Sequence, residues 1–234
     1  MNICTIATEG EWVENHLPRW LRHVKKNCPD AKVYLILACN DENLLHPHYK
    51  AISEFDGVKV YPLGVADRTW FNEIRMYATE IFDVDDMLYL DCDCDVLEDI
   101  SDIPKQSDKA LMFVKSPIIH PSYYNISQEL GYGIPEWVAD NCLLYMRRSF
   151  LKEYKKARAK VRKIKNNPRV VGTMNFNIML KDNPDIWQEL PEEYGTIWWN
   201  ADKWRFAKII QYCSENGQHK RMNLERVWRT HEEA

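Results

Sequence analysis

Residues 87–100, MLYLDCDCDVLEDI, place three aspartates directly after an apolar run. The run at 87–90 predicts a short buried strand, and Asp91, Asp93 and Asp95 alternate after it. Because successive side chains of a strand point to opposite faces, we expect the three carboxylates to share one face. Like charges this close resist ionisation unless a cation offsets them. The pattern therefore predicts a site for Mg²⁺ or Mn²⁺ that keeps coordination positions for phosphate oxygens. The alternative is a solvated acidic turn.

The composition is that of a soluble globular protein. At 234 residues the chain is long enough to bury a core as one domain, and its net charge of −4 gives no general attraction to nucleic acid. Seven cysteines, an odd number without a CxxC pair, favour free thiols in a reducing compartment. The apolar runs are too short to span a bilayer, and the first residues resemble a strand and not a signal peptide. We therefore expect a cytoplasmic protein without a transmembrane segment.

The apolar pattern of the first hundred residues alternates between the strand period and the helix period. It predicts strands at 2–7, 32–39, 58–63 and 87–90, and helices at 12–26 and 69–82. This alternation is typical of a Rossmann-like α/β sheet. Ligands of such sheets bind at the carboxyl ends of the strands, where Thr8 and the aspartates both fall.

The second half of the chain is less regular. Strands are predicted at 110–115 and 141–146, separated by a long turn-rich segment at 116–137 that is typical of a lid or an acceptor loop. Residues 147–169 contain eleven Lys and Arg against one Glu, a net charge of +10, around one apolar helical stripe. This segment is either a surface helix with a solvated basic face or a patch for an anionic acceptor or partner.

Four tryptophans lie within twenty residues near the end of the chain. They form either a stacking platform for an acceptor sugar or base, or a small aromatic cluster beneath a loop. They are Trp187, Trp198, Trp199 and Trp204.

The segment YLDCDCDVLEDI resembles the DxD signature of the GT-A glycosyltransferases, specifically the glycogenin-like branch, glycosyltransferase family eight and its neighbours. In this alignment Asp91 and Asp93 are the DxD pair, and a second alignment uses Asp93 and Asp95. The resemblance implies a Rossmann-like GT-A fold with a mixed, mostly parallel sheet flanked by helices. It implies one domain over residues 1–234, with a nucleotide-sugar-binding half at 1–100 and an acceptor-side half at 101–234.

Further segments resemble the same family in the same order. TIATEGEW is similar to its first strand and nucleotide loop, which implicates Ala7, Thr8 and Trp12 in binding the donor. Arg75 occupies the place of a basic residue that contacts the donor there. ADNCLLYMRRS resembles the strand that places Asn141 near the transferred sugar, and ELPEEYG resembles an LP-x-x-YN segment. These positions, together with Asp91, form the expected donor site.

The resemblance implies metal-dependent transfer of a sugar from a nucleoside-diphosphate sugar, with UDP as the expected nucleotide. Asp91, Asp93 and His231 are the expected ligands of Mn²⁺ or Mg²⁺. Asp140 is the first candidate for the catalytic carboxylate, and Asp95 is the second.

The chain also departs from the family. The stretch GTMNFNIML has Met174 and Asn175 where the family has an acidic Asp-Gln pair beside the reacting sugar, and the Gly and Lys-Pro-Trp that follow the metal-binding His are missing after His231.

Three other functions compete with this interpretation. A HAD-type phosphatase also begins with a strand and DxD, but its aspartates lie near the start of the chain. Sugar nucleotidyltransferases need a Gly-rich basic loop that TEGEW does not supply. A non-catalytic nucleotide-sugar-binding module agrees with the missing acidic pair.

Overall fold

The computed structural model describes residues 1–10, 12–40, 47–65, 68–117, 121–163, 171–195 and 206–211. Within these residues, seven strands form the central sheet and two form a small separate one. The central strands are β1 (Asn2–Thr8), β2 (Lys32–Ala38), β3 (Gly57–Tyr61), β4 (Asp86–Leu90), β6 (Leu111–Ser116), β7 (Val138–Arg147) and β8 (Trp187–Glu189). The small sheet pairs β5 (Cys94–Val96) with β9 (Ile209–Gln211).

The central sheet is mixed and mostly parallel, as the family resemblance implied. Its order is β3-β2-β1-β4-β7-β6-β8. The first four strands of the chain run parallel to one another, β7 is antiparallel to both β4 and β6, and β8 is parallel to β6. The carboxyl ends of β1 and β4 therefore lie side by side at one edge, which is where the first hundred residues predicted a binding site.

Helices cover both faces of this sheet. They are α1 (Leu17–Asn27), α2 (Arg68–Ile74), α3 (Ala78–Ile81), α4 (Pro121–Glu129), α5 (Leu151–Val161) and α6 (Val171–Asp182).

Except for β8, each strand of the central sheet divides its side chains between two hydrophobic cores, one on each face of the sheet. In β4, Leu88 and Leu90 belong to the core under α1, whereas Met87 and Tyr89 belong to the core under α5 and α6. This division follows from the strand period of two. Because both faces are buried, the strands read as continuous apolar runs, which is why the sequence could locate them.

The helix predicted at 12–26 is two elements. A π-helical turn over Trp12–His16 is followed by α1, and Pro18 lies in the first turn of α1, where its missing N–H costs nothing. The five apolar residues at helical spacing are all buried: Val13, Leu17, Trp20, Leu21 and Val24.

The helix predicted at 69–82 is also divided. Between α2 and α3 the chain forms a 3₁₀ turn over Arg75–Tyr77. The buried side chain of Arg75 donates from Nε to the carbonyl oxygen of Phe71, 3.1 Å away in the preceding turn. The local winding therefore changes at the residue whose side chain turns inward, and helical periodicity alone could not show this.

Two predictions for the second half need correction. The strand predicted at 141–146 is the ten-residue β7, so Asp140 and Asn141 lie inside the strand and not at its start. The turn-rich segment at 116–137 contains α4, which is followed by Gly131 and Gly133 at positive φ. Pairing with β6 extends β7 beyond its apolar run, because cross-strand hydrogen bonds form regardless of side-chain type.

None of the helices in the described ranges combines the length and the apolar character needed to cross a bilayer.

Candidate functional site

A cavity of about 340 Å³ opens at the carboxyl ends of β1 and β4. Residues from three separate parts of the chain line it: Ile6, Ala7, Thr8, Trp12, Phe71, Arg75, Tyr89, Asp91, Cys92 and Asp93. Six of these were predicted from the sequence as donor-site or metal-site residues. They are Ala7, Thr8, Trp12, Arg75, Asp91 and Asp93.

The first wall of the cavity is the end of β1 and the turn that follows it. Ala7 is buried, and Gly10 adopts a φ of +86°, which only glycine adopts readily. The carbonyl oxygen of Gly10 accepts hydrogen bonds from the backbone N–H groups of Val13 and Glu14, at 2.9 and 3.0 Å, so the chain turns sharply. This turn brings the indole of Trp12 to the cavity, with 41% of the residue exposed. A half-exposed aromatic ring in this position is suited to stacking on a planar ligand.

Arg75, Tyr89 and Asp91 form the second wall as one hydrogen-bonded group. The guanidinium carbon of Arg75 lies 4.9 Å from the centre of the Tyr89 ring, and its Nη1 lies 3.3 Å from Oδ1 of Asp91. The Tyr89 hydroxyl donates to the same Oδ1. Burial raises the pKa of Tyr89 well above its ordinary value, so this hydroxyl keeps its proton and remains a donor. The group holds a cation, a neutral hydroxyl and a carboxylate in fixed order at the cavity wall.

Asp91 and Asp93 lie in a tight turn between β4 and β5. The backbone N–H of Asp91 donates to the carbonyl oxygen of Cys142 in β7 at 2.9 Å. The backbone N–H of Cys94 donates to the carbonyl oxygen of Asp91 at 3.0 Å. Between the two aspartates, burial raises the pKa of the Cys92 thiol well above its ordinary value, so Cys92 contributes a neutral wall and no thiolate.

The two carboxylates fit a hard divalent cation. Oδ1 of Asp91 accepts the hydrogen bonds from Arg75 and Tyr89. Among the described residues, no side-chain donor bonds to its other carboxylate oxygen, Oδ2. Carboxylate oxygens are the ligands that Mg²⁺ and Mn²⁺ prefer. Within the described residues, no set of three or more His, Cys, Asp or Glu side chains forms a metal-binding group. His231, the predicted third ligand, lies outside these residues.

Asp95 is separated from the other two aspartates. The chain turns after β4, so the three carboxylates do not share one strand face, and Asp95 is not part of the cavity lining. Its side chain is buried and accepts a hydrogen bond from Nη2 of Arg19, in α1, at 2.5 Å. The expectation of one shared face was wrong because it assumed that the strand continues through the acidic residues.

The other predicted site residues are placed only by their backbone or not at all. Asp140 and Asn141 lie in β7 directly before Cys142, whose carbonyl oxygen binds the backbone of Asp91. The structure describes no side-chain position for either residue. Of the four late tryptophans, Trp198, Trp199 and Trp204 lie outside the described residues.

Trp187 belongs to an aromatic cluster at the edge of the sheet. Its ring centre lies 5.2 Å from those of both Phe113 and Trp137, and Nζ of Lys115 lies 4.7 Å from the Trp137 ring and 5.4 Å from the Trp187 ring. For Trp187 the structure therefore agrees with the aromatic-cluster alternative.

The residues that the resemblance aligns with the family's acidic pair lie in the core. Met174 and Asn175 are both fully buried in α6, and Nδ2 of Asn175 lies 3.5 Å from Oε1 of Glu73 in α2. Arg158 binds the same carboxylate with two nitrogens, at 2.9 and 2.7 Å. Asn175 thus takes part in a polar contact that joins three helices, because Glu73 of α2 contacts both Arg158 of α5 and Asn175 of α6.

Over its described length, the basic segment at 147–169 runs from the end of β7 through a 3₁₀ turn over Arg148–Phe150 into the surface helix α5. Its predicted apolar stripe is buried at Phe150, Tyr154, Ala157 and Val161, and Ile164 lies outside the described residues. Five of its cations pair with acidic side chains: Arg148 with Asp83, Lys155 with Glu80, Lys156 with Glu153, Arg158 with Glu73, and Lys160 with Asp182. Much of the basic charge is therefore neutralised within the fold.

Sequence reasoning missed four cavity residues. Ile6, Phe71, Tyr89 and Cys92 line the cavity but were not predicted as site residues. A signal existed for Tyr89, because it lies two residues before Asp91 and a strand places such residues on the same face. Phe71 lies one helical turn before Arg75, and the same argument could have found it.

This sheet, with the cavity at its carboxyl edge, defines the GT-A glycosyltransferase fold, and solved glycosyltransferase structures match it over nearly all of the chain. The galactosyltransferase LgtC, solved with donor and acceptor sugar analogues, is 13% identical over 98% of this chain and 94% of its own, with a TM-score of 0.61. Mouse xyloside xylosyltransferase 1 is 10% identical over 90% of this chain and 97% of its own, with a TM-score of 0.58.

The bifunctional glycosyltransferase WbbM has a TM-score of 0.64 and 12% identity over 92% of this chain, which spans 46% of the WbbM chain. No protein-family model matches the sequence, and no curated protein sequence does.

Proposed function

We propose that this chain is a metal-dependent glycosyltransferase that takes its sugar from a nucleoside-diphosphate sugar, with UDP as the nucleotide. The observation that supports this most is the convergence of Thr8, Trp12, Arg75, Asp91 and Asp93 at one cavity, although they come from three separate segments. Residues chosen from the resemblance of short segments to a family would scatter over the surface if that resemblance carried no functional meaning. The glycosyltransferase fold of the neighbours supports the same activity.

Each wall of the cavity has a part in this proposal. The exposed ring of Trp12 and the end of β1, at Ala7 and Thr8, bind the nucleoside. Arg75 places a permanent positive charge beside the diphosphate. The Tyr89 hydroxyl fixes the orientation of the Asp91 carboxylate.

Asp91 and Asp93 would hold Mn²⁺ or Mg²⁺, with His231 as the proposed third ligand. A bound divalent cation stabilises the negative charge that accumulates on the diphosphate as the bond to the sugar breaks. The Arg75–Tyr89–Asp91 group would act together with it, because its charges are already oriented before the donor arrives.

The sugar and its acceptor are assigned to the second half of the chain, residues 101–234, and the nucleotide to residues 1–100, within one domain. Asn141 is proposed to bind the transferred sugar and Asp140 to orient it or accept a proton. Their place in β7, next to the strand residue that binds the Asp91 backbone, supports this assignment. Asp95 is the second candidate for the proton acceptor. A cytoplasmic location is also proposed, supported by the six cysteines of the described residues that form no disulfide with one another.

A non-catalytic nucleotide-sugar-binding module is the second candidate function. The burial of Met174 and Asn175 at the place of the family's acidic pair favours it. Hydrolysis of the donor in the absence of an acceptor separates the two functions, because only a catalytic site breaks the bond to the diphosphate. The phosphatase alternative lacks support, because the aspartate pair follows the fourth strand and not the first.

The test compares Asp93→Asn with Glu98→Gln. Both changes remove one negative charge from the same segment, but Glu98 is exposed and is not part of the cavity lining. We expect Asp93→Asn to lower Mn²⁺-dependent hydrolysis of a UDP-sugar by at least about 100-fold, equivalent to about 2.7 kcal/mol. Glu98→Gln should retain wild-type turnover, and circular dichroism should show both variants folded. Equal turnover in wild type and Asp93→Asn would contradict the proposal.

A further inference from the structure

The ion pair between Arg19 and Asp95 lies outside the cavity but close to it along the chain. The Asp95 side chain is 3% exposed and that of Arg19 is 25% exposed, with 2.5 Å between Nη2 and Oδ2. A carboxylate buried to this extent is unfavourable unless a cation and hydrogen bonds compensate for the lost water. The ion pair with Arg19 therefore fixes the position of the Asp95 carboxylate.

The pair joins the two parts of the chain that carry the cavity walls. Arg19 lies in the first turn of α1, which directly follows the π-helical turn that begins at Trp12. Asp95 is the central residue of β5, two positions after Asp93. Trp12 and Asp93 both line the cavity, and the pair is a direct side-chain connection between α1 and β5, the elements next to them in the chain.

Other bonds along the same contact strengthen this connection. Nδ2 of Asn27 donates to the carbonyl oxygen of Val96 at 2.8 Å, and Nδ1 of His23 lies 3.3 Å from the same oxygen. Arg19, His23 and Asn27 follow each other at one-turn spacing, so one face of α1 contacts β5 at Asp95 and Val96. On its other side β5 pairs with β9.

The two aspartates of the turn are held differently. The backbone of Asp91 is bound to Cys142 of the central sheet, independently of α1. Asp93 is followed directly by β5, which belongs to the small sheet and contacts α1 through the Arg19–Asp95 pair.

We propose that Arg19 and Asp95 are positioning residues that set the distance between the nucleoside side of the cavity, at Trp12, and the phosphate side, at Asp93. The expected effect on UDP binding rests on the proposed function, whereas the expected restraint of the turn at Asp93 does not. Neither residue is part of the cavity lining. Loss of the pair releases the turn at Asp93 and leaves Asp91 in place.

The structural part is tested on the free protein by hydrogen exchange with peptide resolution. Asp95→Asn and Arg19→Gln should each raise exchange about tenfold or more in peptides covering 91–97, because the pair no longer restrains the turn. Arg19→Lys, which keeps the charge, should restore most of the protection. The control is Val161→Ala, which creates a cavity in the opposite core under α5 and should leave the turn protected while lowering global stability. Unchanged exchange at 91–97 in both charge variants overturns the proposal.

The functional part is tested by calorimetry with UDP and Mn²⁺ at a temperature where every variant is folded. We expect Asp95→Asn and Arg19→Gln to weaken binding of UDP with Mn²⁺ by a similar factor, about tenfold, whereas Val161→Ala binds as wild type does. If Asp95 were the proton acceptor, Asp95→Asn would bind UDP normally and lose only turnover, and this result overturns the positioning role. If wild type binds neither UDP nor Mn²⁺, the proposed function fails, while the exchange experiment still decides whether the pair restrains the turn.

Discussion

Replacing Arg75 by methionine removes the cation that faces Asp91 and keeps a long side chain in the cavity wall. The Nη1–Oδ1 distance is 3.3 Å, and the side chains are 9% and 24% exposed for Arg75 and Asp91. At an effective dielectric constant of about 20, two unit charges at this distance attract by about 5 kcal/mol. Screening at the partly exposed Asp91 and the cost of desolvating both groups reduce the net effect to about 1–2 kcal/mol.

The substitution should change the affinities for metal and nucleotide in opposite directions. A guanidinium next to Asp91 repels any second cation at that carboxylate, so its removal should tighten Mn²⁺ binding by about 5- to 30-fold, the equivalent of about 1–2 kcal/mol. The same change removes a charged donor for the diphosphate, and hydrogen bonds to charged groups contribute about 1.5–3 kcal/mol, so UDP should bind about 10- to 100-fold more weakly.

Calorimetry of the free protein measures the two affinities separately, first with Mn²⁺ alone and then with UDP alone. Arg75→Lys is the matched control, because it keeps the charge and should keep the wild-type Mn²⁺ affinity while losing the planar contact to Tyr89. Thermal melts establish that both variants remain folded. If Arg75→Met binds Mn²⁺ no more tightly than wild type does, the charge of Arg75 does not act on the metal-binding carboxylate and the reasoning fails.

Two further predictions concern regions away from the cavity. An alanine Cβ at Gly195 would lie 2.5 Å from Cγ2 of Val114. Gly195→Ala should therefore lower the free energy of unfolding, measured in urea, by about 1–3 kcal/mol. Gly64→Ala is the control: no atom lies within 4 Å of its Cβ, so its free energy of unfolding should stay within about 0.5 kcal/mol of wild type. Burial raises the pKa of Asp102, but the hydrogen bond from the Tyr194 hydroxyl, 2.6 Å away, helps to bring it below its ordinary value. The folded state then binds this proton less readily than the unfolded chain does, so the contribution of Asp102 is complete above the unfolded pKa of about 4 and is lost as pH falls through the folded pKa. Urea unfolding at pH 5 and pH 3 should show a smaller loss of stability for Asp102→Asn than for wild type, and equal losses would contradict this.

The sequence by itself determined the elements of the sheet and the place of its ligand site. The runs that became β1, β2 and β4 were apolar on both faces, and a strand with this pattern is stable only between two layers of helices. Since such strands are parallel and expose their carboxyl ends together, Thr8 and Asp91 could be predicted to lie close to each other before any coordinates were known. These conclusions depend on local periodicity and a general rule of sheet topology, which a single sequence contains.

Tertiary structure alone decided what each charged residue of the site contacts. Asp91, Asp93 and Asp95 look equivalent in the sequence, but a two-residue turn directs the first two into the cavity and the third toward Arg19, 76 positions away. In the same way, the inward turn of Arg75 interrupts a helix that its periodicity predicted to be continuous. A buried charge takes its partner from whatever the folded chain brings near it, and this proximity arises from the packing of α1 against β5 and not from any pattern within either segment.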